Sequence, residues 1–145
     1  MSARQTQIVD AAIRILATRG SRRLTAQALA DEIGVTPGAL FRHFDSMEAI
    51  ADAVVGRTGA MLFEGFPPEA ADPVERLGLF FRRRARTILA HPHLSRLLLS
   101  EHLAQAAGEA QAVRLEGFRR RSRDFVAGCL TEAGQRGVLA PGTDP

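Results

Sequence analysis

The sequence predicts an all-α protein, with an N-terminal three-helix head followed by a helical module. Apolar residues recur at the spacing of an amphipathic helix through almost every segment, and no stretch shows the two-residue alternation of a half-buried strand. Residues that start and end helices separate these segments. The 145 residues are 46% hydrophobic and 24% charged, which is enough apolar material for a packed core.

The first two helices have clear boundaries. The first covers about residues 3–18 and ends before Gly20, a residue type common at helix C-termini. The second follows Thr25 as N-cap and stops at Gly34. One apolar stripe marks the inner side of the first helix. It consists of Ile8, Ala11, Ala12, Ile15 and Leu16.

A third helix is predicted after Thr36 as N-cap, because Pro37 then takes the first helical position, where a missing N–H costs nothing. Asp45 or Ser46 is expected to cap a fourth helix, which continues to about Gly65.

The second half of the chain shows three further helical patterns. Residues 67–73 are too rich in proline to be helical throughout, so they are predicted to be a linker. A fifth helix is expected at about residues 74–91, a sixth at 94–107 and a seventh at 109–137, with residues 141–145 as loop.

Residues 25–44 predict a helix-turn-helix, since two short capped helices are joined by a turn at Gly34, with Val35 as the apolar plug beneath it. In such a unit the second helix enters the major groove with its N-terminal residues facing base edges. The residues expected to face inward are Leu29, Ile33, Leu40 and Phe44. Those expected to face outward are Thr36, Gly38, Ala39, Arg42 and His43.

This stretch resembles the DNA-binding domain of the TetR family. The motifs that carry the resemblance are Leu24-Thr25, Gly34-Val35-Thr36 and the run Leu-Phe-Arg-His-Phe-Asp-Ser at residues 40–46. The first helix is similar as well, through Ile8-Val9-Asp10-Ala11-Ala12 and Ala17-Thr18-Arg19-Gly20. The similarity covers residues 4–54 in order and spacing, and beyond Gly65 only the helical layout is similar.

The resemblance implies which residues contact DNA. Phosphate contacts fall to Thr25, Phe41, His43 and the position of Met47. Base-facing roles fall to Gln27, Thr36, Pro37, Gly38, Ala39 and Arg42. Side-chain chemistry agrees, because Arg42 can fork onto guanine, Gln27 can pair with adenine and the Ala39 methyl can meet a thymine methyl.

Two positions depart from the family pattern. Phe41 stands where the family usually has a tyrosine that reaches a phosphate, and Met47 stands where it usually has lysine. Backbone N–H groups at the start of the fourth helix could still hold a phosphate, and Arg4, Arg22 and Arg23 could compensate. The chain up to Met47 carries six arginines against four acids, so we expect modest affinity at physiological salt.

The predicted division is a DNA-binding domain at residues 1–62 and a ligand-binding and dimerisation domain at residues 63–145. Pockets form between the helices of such modules. Most arginines of the clusters at residues 82–86 and 119–123 are expected to be solvated or paired, with the alternative that one or two turn inward to hold an anionic effector. The expected ligand-facing residues are Met61, Phe80, Phe81, Arg84, Leu98, His102 and Phe118.

Composition argues against several classes of protein. Cys129 is the only cysteine, which rules out an intrachain disulfide and fits a core position. His91, His93 and His102 lack further ligands at suitable spacing, so no metal site is predicted. No nucleophile–base pair or phosphate loop appears, and we expect neither an enzyme nor a cofactor.

The N-terminal residues lead into an amphipathic pattern and not into a signal peptide. No stretch approaches the ~18 apolar residues of a membrane span, so a soluble cytoplasmic protein without membrane association is predicted. The net charge of +3, carried by 19 arginines and no lysine against 16 acids, permits a polyanionic partner.

Together these features predict a ligand-responsive transcriptional regulator. We expect a repressor that binds a palindromic operator in double-stranded DNA as a homodimer and is released by a small, largely apolar effector. The alternative is a non-sensing DNA-binding or architectural protein.

The C-terminal residues bear on dimerisation. The family usually closes with two long helices that form the dimer's four-helix bundle, whereas this chain stops after residues 137–142, which resemble the loop before the first of them. We expect either a truncated chain, which we favour, or a dimer built by the sixth and seventh helices.

Overall fold

A computed structural model describes residues 1–99, 102–106 and 108–140, apart from the side chains at positions 99 and 104. Over these residues the chain is helical without strands, which confirms the predicted all-α fold. The helices are α1 (Ala3–Arg19), a 3₁₀ turn (Ser21–Arg23), α2 (Ala26–Ile33), α3 (Pro37–Leu40), α4 (Met47–Leu62), α5 (Pro73–Ala90), α6 (Pro92–Leu99), α7 (His102–Ala106) and α8 (Glu109–Gln135).

Helix α1 is held at both ends by its own sequence. The Ser2 hydroxyl accepts a hydrogen bond from the Gln5 N–H (3.2 Å), and the Gln5 side chain accepts one from the Ser2 N–H (2.9 Å). This capping box satisfies two donors that a helix N-terminus leaves open. Gly20 ends the helix with φ = +82°, a region that costs glycine little.

The third helix is shorter than the sequence predicts. It ends at Leu40, and the Leu40 carbonyl then accepts hydrogen bonds from the N–H groups of His43 (2.9 Å) and Phe44 (3.1 Å). Residues 41–43 therefore form turns, and the predicted reader Arg42 lies in this turn and not on a helix.

The fourth helix begins as predicted and ends early. Of the two candidate caps, Ser46 is the one whose hydroxyl accepts from the Ala49 N–H (3.1 Å). The helix ends at Leu62, three residues before Gly65, where φ = +64° turns the chain toward the proline-rich linker.

The C-terminal module differs from the prediction at the sixth helix. Pro92 occupies the first position of α6, which therefore begins two residues before the predicted start at residue 94. Where one helix was expected at residues 94–107, the structure has the separate helices α6 and α7. Residues 100, 101 and 107 of that prediction, and the predicted loop at 141–145, lie outside the described residues.

One hydrophobic core runs through both predicted modules. Its head members come from α1, α2, α3 and α4, and Leu97 of α6, Leu103 of α7 and Leu115 of α8 belong to the same cluster. Leu97 is fully buried, and Leu103 and Leu115 are 3% and 9% exposed. The predicted boundary between residues 62 and 63 is therefore crossed by continuous apolar packing.

A second cluster consists of phenylalanines from the segment after α4 and from α5 and α8. Phe66 lies 5.1 Å from Phe125 and 6.1 Å from Phe80, measured between ring centroids, and both pairs are edge-to-face. Phe63 contacts Phe66 in the same way at 5.1 Å. Such ring pairs add stability beyond their buried area.

Gly59 lets α8 approach α4 closely. A Cβ atom at this position would overlap the ring of Phe118, and Gly59 itself is buried. Gly56 lies one turn earlier on the same helix, where a Cβ atom would meet only the end of the Arg114 side chain, at 3.5 Å. The two glycines therefore differ in what surrounds them.

We expect Gly59→Ala to lower the free energy of unfolding by ~1–3 kcal/mol, because the added methyl group overpacks the contact with Phe118. Gly56→Ala is the matched control, and it should be neutral or stabilising by up to ~1 kcal/mol, since alanine favours a helix interior. Urea unfolding of both variants measures the difference. Equal stability of the two would contradict the close α4–α8 contact.

Candidate nucleic-acid interface

The turn between α2 and α3 is built by local sequence. Thr25 caps α2 by accepting a hydrogen bond from the Ala28 N–H (3.1 Å). Gly34 ends the helix in the left-handed region (φ = +68°), and the Val35 N–H reaches back to the Ala30 carbonyl (2.9 Å). This geometry fixes where α3 begins.

Except for Gln27 on α2, the predicted base-facing residues lie on the surface around α3. Thr36, Gly38 and Arg42 are exposed, as is His43, which is expected to contact phosphate, and Leu40 below them is fully buried. Pro37 and Ala39 are partly buried. The Thr36 hydroxyl makes no capping hydrogen bond to its own helix, so both its donor and its acceptor remain for a partner.

The two departures from the family pattern lie in different surroundings. Phe41 is 42% exposed and presents an apolar ring beside Arg42. Met47 is partly buried and packs against the head's hydrophobic core. Its side chain is therefore engaged in packing, and its expected contact with DNA stays a prediction.

Gln27 and Thr25 both lie at the start of α2, and each already makes a hydrogen bond. The Gln27 amide donates to Asp31 of the same helix (2.8 Å), and its second N–H and its carbonyl oxygen remain for pairing with a base. The Thr25 oxygen accepts from the helix, but its O–H remains a donor that suits a phosphate oxygen.

The 3₁₀ turn before α2 supplies positive charge. Arg22 and Arg23 are exposed there, and with Arg19, Thr25 and Ala28 they line an open depression. Arg19 pairs with Glu32 (3.3 Å), whereas the described residues show no ion pair for Arg22 or Arg23. These two arginines are therefore available to phosphates beside Thr25.

The first turn of α4 carries a carboxylate, Glu48. A backbone hydrogen bond and the Ser46 hydroxyl hold the pKa of Glu48 below its ordinary value. The expected binding of a phosphate by backbone N–H groups at this helix end stays a prediction.

Gln5 connects α1 to the recognition segment, a role that sequence reasoning missed. While its carbonyl oxygen completes the capping box with Ser2, its amide donates to the backbone carbonyl of His43 (3.0 Å). The capping-box spacing of Ser2 and Gln5 was visible in the sequence, but the contact with a residue 38 positions away was not.

A second candidate site is a cleft of about 400 Å³, which we call the α5–α8 cleft. Three of the predicted ligand-facing residues, Arg84, Leu98 and Phe118, lie together along it. The other lining residues, which were not predicted, are Leu62, Leu97, Leu103, Leu115, Arg119, Ser122 and Arg123. This volume falls in the usual range of small-molecule sites, ~300–1,000 Å³.

The remaining predicted ligand residues lie elsewhere. Phe80 is buried in the phenylalanine cluster, and Phe81 is 56% exposed. Met61 and His91 line two other depressions of the surface. His102 packs against Gly20, where a Cβ atom would come within 3.3 Å of its ring. A ligand role for these four residues stays a prediction.

Several other features bear on the chemistry. Cys129 is a buried free thiol, and burial raises its pKa. Among the described residues no cluster of His, Cys, Asp or Glu could hold a metal ion. None of the described helices combines the length and the apolar character that crossing a membrane requires.

Comparison with known families decides the identity of this helix-turn-helix. The sequence model described as bacterial regulatory proteins, tetR family, matches residues 8–54, which include every turn and cap described above from Thr25 to Ser46. Residues 8–54 form a TetR-type helix-turn-helix domain. The predicted resemblance to the TetR family is confirmed over these residues.

Similarity to other transcriptional regulators extends over most of the chain. The transcriptional repressor KstR2 of Mycobacterium tuberculosis (strain ATCC 25618 / H37Rv) is 24% identical over 148 residues, which cover 99% of this chain and 73% of that protein. The TetR-family regulator PfmR of Thermus thermophilus has the same fold, with a TM-score of 0.81 at 21% identity over 99% of this chain and 77% of that one.

A third relative was solved with a ligand. The regulator FadR of Bacillus subtilis, in complex with stearoyl-CoA, matches 96% of this chain and 75% of its own with a TM-score of 0.66 and 21% identity. All three of these proteins are regulators of transcription by name.

We expect Gln5→Met to weaken binding to duplexes selected for this protein by up to ~10-fold, because the His43 carbonyl loses a hydrogen bond worth ~0.5–1.5 kcal/mol. Ser2→Ala is the control, since it removes the helix cap, at ~1 kcal/mol of stability, and leaves the His43 contact intact. Fluorescence anisotropy compares the two folded variants. Equal DNA affinity of Gln5→Met and Ser2→Ala would show that the Gln5–His43 contact does not position the recognition segment.

Proposed function

We propose that this chain is a ligand-responsive repressor that binds a palindromic operator as a homodimer. The observation that supports this most is the exposed surface formed by Thr36, Gly38, Arg42 and His43, which lies over the buried Leu40 and is bound to α1 through the Gln5–His43 hydrogen bond. Residues 1–62 serve as the DNA-binding domain in this proposal, and residues 63–145 bind the effector and contribute to dimerisation. The protein acts in the cytoplasm, where its operator is.

The comparisons support the sensing part of the proposal. KstR2 is a repressor by name, and the FadR structure contains stearoyl-CoA, so proteins of this fold include one that accommodates an acyl chain. The α5–α8 cleft, with its leucines and Phe118, offers this chain a largely apolar site.

The cleft and the head share walls, which supports coupling between them. Leu97 and Leu103 line the cleft and also pack in the core that contains α1. Ser21, in the 3₁₀ turn that precedes α2, donates a hydrogen bond to Gln105 of α7 (3.1 Å). A ligand that prefers one position of α6 and α7 therefore shifts the helices that carry the DNA-binding surface.

Selection of bound sequences from random duplexes tests the proposal. A homodimer whose heads lie about one helical turn apart, ~34 Å, should select a palindrome with that half-site spacing. Recovery of random sequence only would contradict an operator-specific regulator and favour the non-sensing DNA-binding alternative. Recovery of single, unpaired half-sites would contradict the dimer.

On the selected operator, Arg42→Ala should weaken binding by ~1–3 kcal/mol and relax specificity at one base position. The matched control is Arg120→Ala, which removes the same charge from an exposed position on α8 and should change affinity little. Anisotropy titrations at fixed salt measure both variants. Wild-type affinity in a folded Arg42→Ala protein would remove this residue from the set that reads DNA.

A further inference from the structure

The α5–α8 cleft is apolar on most of its wall but contains one inward-facing cation. Its apolar wall is formed by Leu62, Leu97, Leu98, Leu103, Leu115 and Phe118. Arg84 of α5 is partly buried among them, although its neighbours on the same helix, Arg82, Arg83 and Arg86, are exposed. The helix therefore directs one arginine of its cluster into the cleft.

Arg84 is held in place by rings and by one hydroxyl. Its guanidinium carbon lies 5.3 Å from the centroid of the Phe63 ring and 5.1 Å from that of Phe80. It donates a long hydrogen bond to the Ser122 hydroxyl (3.4 Å), which itself donates to the Phe118 carbonyl (3.1 Å). The side chain is thus oriented before any ligand arrives.

This arrangement leaves the charge of Arg84 without a carboxylate among the described residues. The two other arginines of the cleft differ, because Arg123 (2.8 Å) and Arg119 (3.5 Å) both pair with Glu116. Burial lowers the pKa of the Arg84 guanidinium, which nevertheless stays protonated. A cation removed from water and left without an anion is costly, and an incoming anion relieves that cost.

We infer that the α5–α8 cleft binds an amphipathic anion, an aliphatic chain that ends in a carboxylate, with Arg84 as the ligand of the head group. The leucines and Phe118 enclose the chain, and the guanidinium forms charge-assisted hydrogen bonds with the carboxylate. The inference rests on the proposed function, since it names the class of effector, and it narrows the expected largely apolar molecule to an anionic one.

The competing interpretation is that Arg84 has only a structural role. Stacking on Phe63 and Phe80 is a favourable contact by itself, and it needs no ligand. Under that interpretation, an aliphatic chain binds in the cleft equally well whether its end group is charged or neutral. A binding measurement on the unmodified protein therefore separates the two interpretations.

The test compares three probes with the same chain and different ends: decanoate, decanol and decylamine. Isothermal titration with the wild-type protein should show decanoate binding at least ~10-fold tighter than decanol, as expected for a hydrogen bond to a charged group, and decylamine weakest. Equal affinity of decanoate and decanol, or no binding of decanoate, would overturn the inference. The preference should also shrink at high salt.

Two variants then show which arginine causes the preference for decanoate over decanol. Arg84→Gln should lose the preference for decanoate over decanol while retaining decanol binding. Arg123→Gln is the matched control, because it removes a guanidinium of the same cleft that is paired with Glu116 and not free for a ligand, and it should retain most of the preference. If the preference survives in Arg84→Gln and disappears in Arg123→Gln, the carboxylate is bound by Arg123, and the assignment to Arg84 is wrong. If Arg84→Gln does not fold, the wild-type comparison of probes still decides.

DNA binding is measured separately and without ligand, so the two proposals fail differently. Operator binding with no preference for decanoate overturns the anionic effector and leaves the regulator standing. A clear preference for decanoate in a protein that selects no DNA sequence overturns the regulator and retains the anion site.

Discussion

Helix α1 is buried over more than half of its circumference between Ile8 and Leu16, and the rest of the fold depends on which helices cover that buried surface. Its buried residues are Ile8, Val9, Ala11, Ala12, Ile13, Ile15 and Leu16, which is more than one stripe of an amphipathic helix. Helices α2 and α4 cover part of this surface, and α6 and α7 cover another part through Leu97 and Leu103. Because uncovered apolar surface is unfavourable in water, the head is completed by helices of the other module.

This shared packing connects the wall of the α5–α8 cleft to the DNA-binding surface. The recognition segment is tied to the N-terminal end of α1 through Gln5 and His43, and the wall of the α5–α8 cleft packs against the same helix. Ion pairs add local connections, with Asp10 of α1 bound to Arg57 of α4 (2.7 Å). In the proposed function, a ligand in the cleft needs no distant relay, because the packed surface that it would displace already belongs to the head.

Much of the head could be predicted because its determinants are local. Thr25 and Ser46 cap helices, Gly34 closes one, and Leu29 and Leu40 are buried as their spacing requires. The cleft could not be predicted in the same way. Every arginine between residues 82 and 86 lies on one helix, so only tertiary packing decides that Arg84 turns inward, and the phenylalanine cluster that orients it joins residues 63 to 125. Met47 was assigned by family position, whereas the neighbouring core engages its side chain.

Native-state hydrogen exchange tests the shared core most directly. Amides of α1, α4 and α6 should exchange through one cooperative opening, with the same free energy and the same denaturant dependence, because no element can leave the cluster without exposing α1. Exchange of α6 through a separate, lower-energy opening that leaves the amides of α1 protected would contradict the account, since the head would then be complete without the helices that line the cleft.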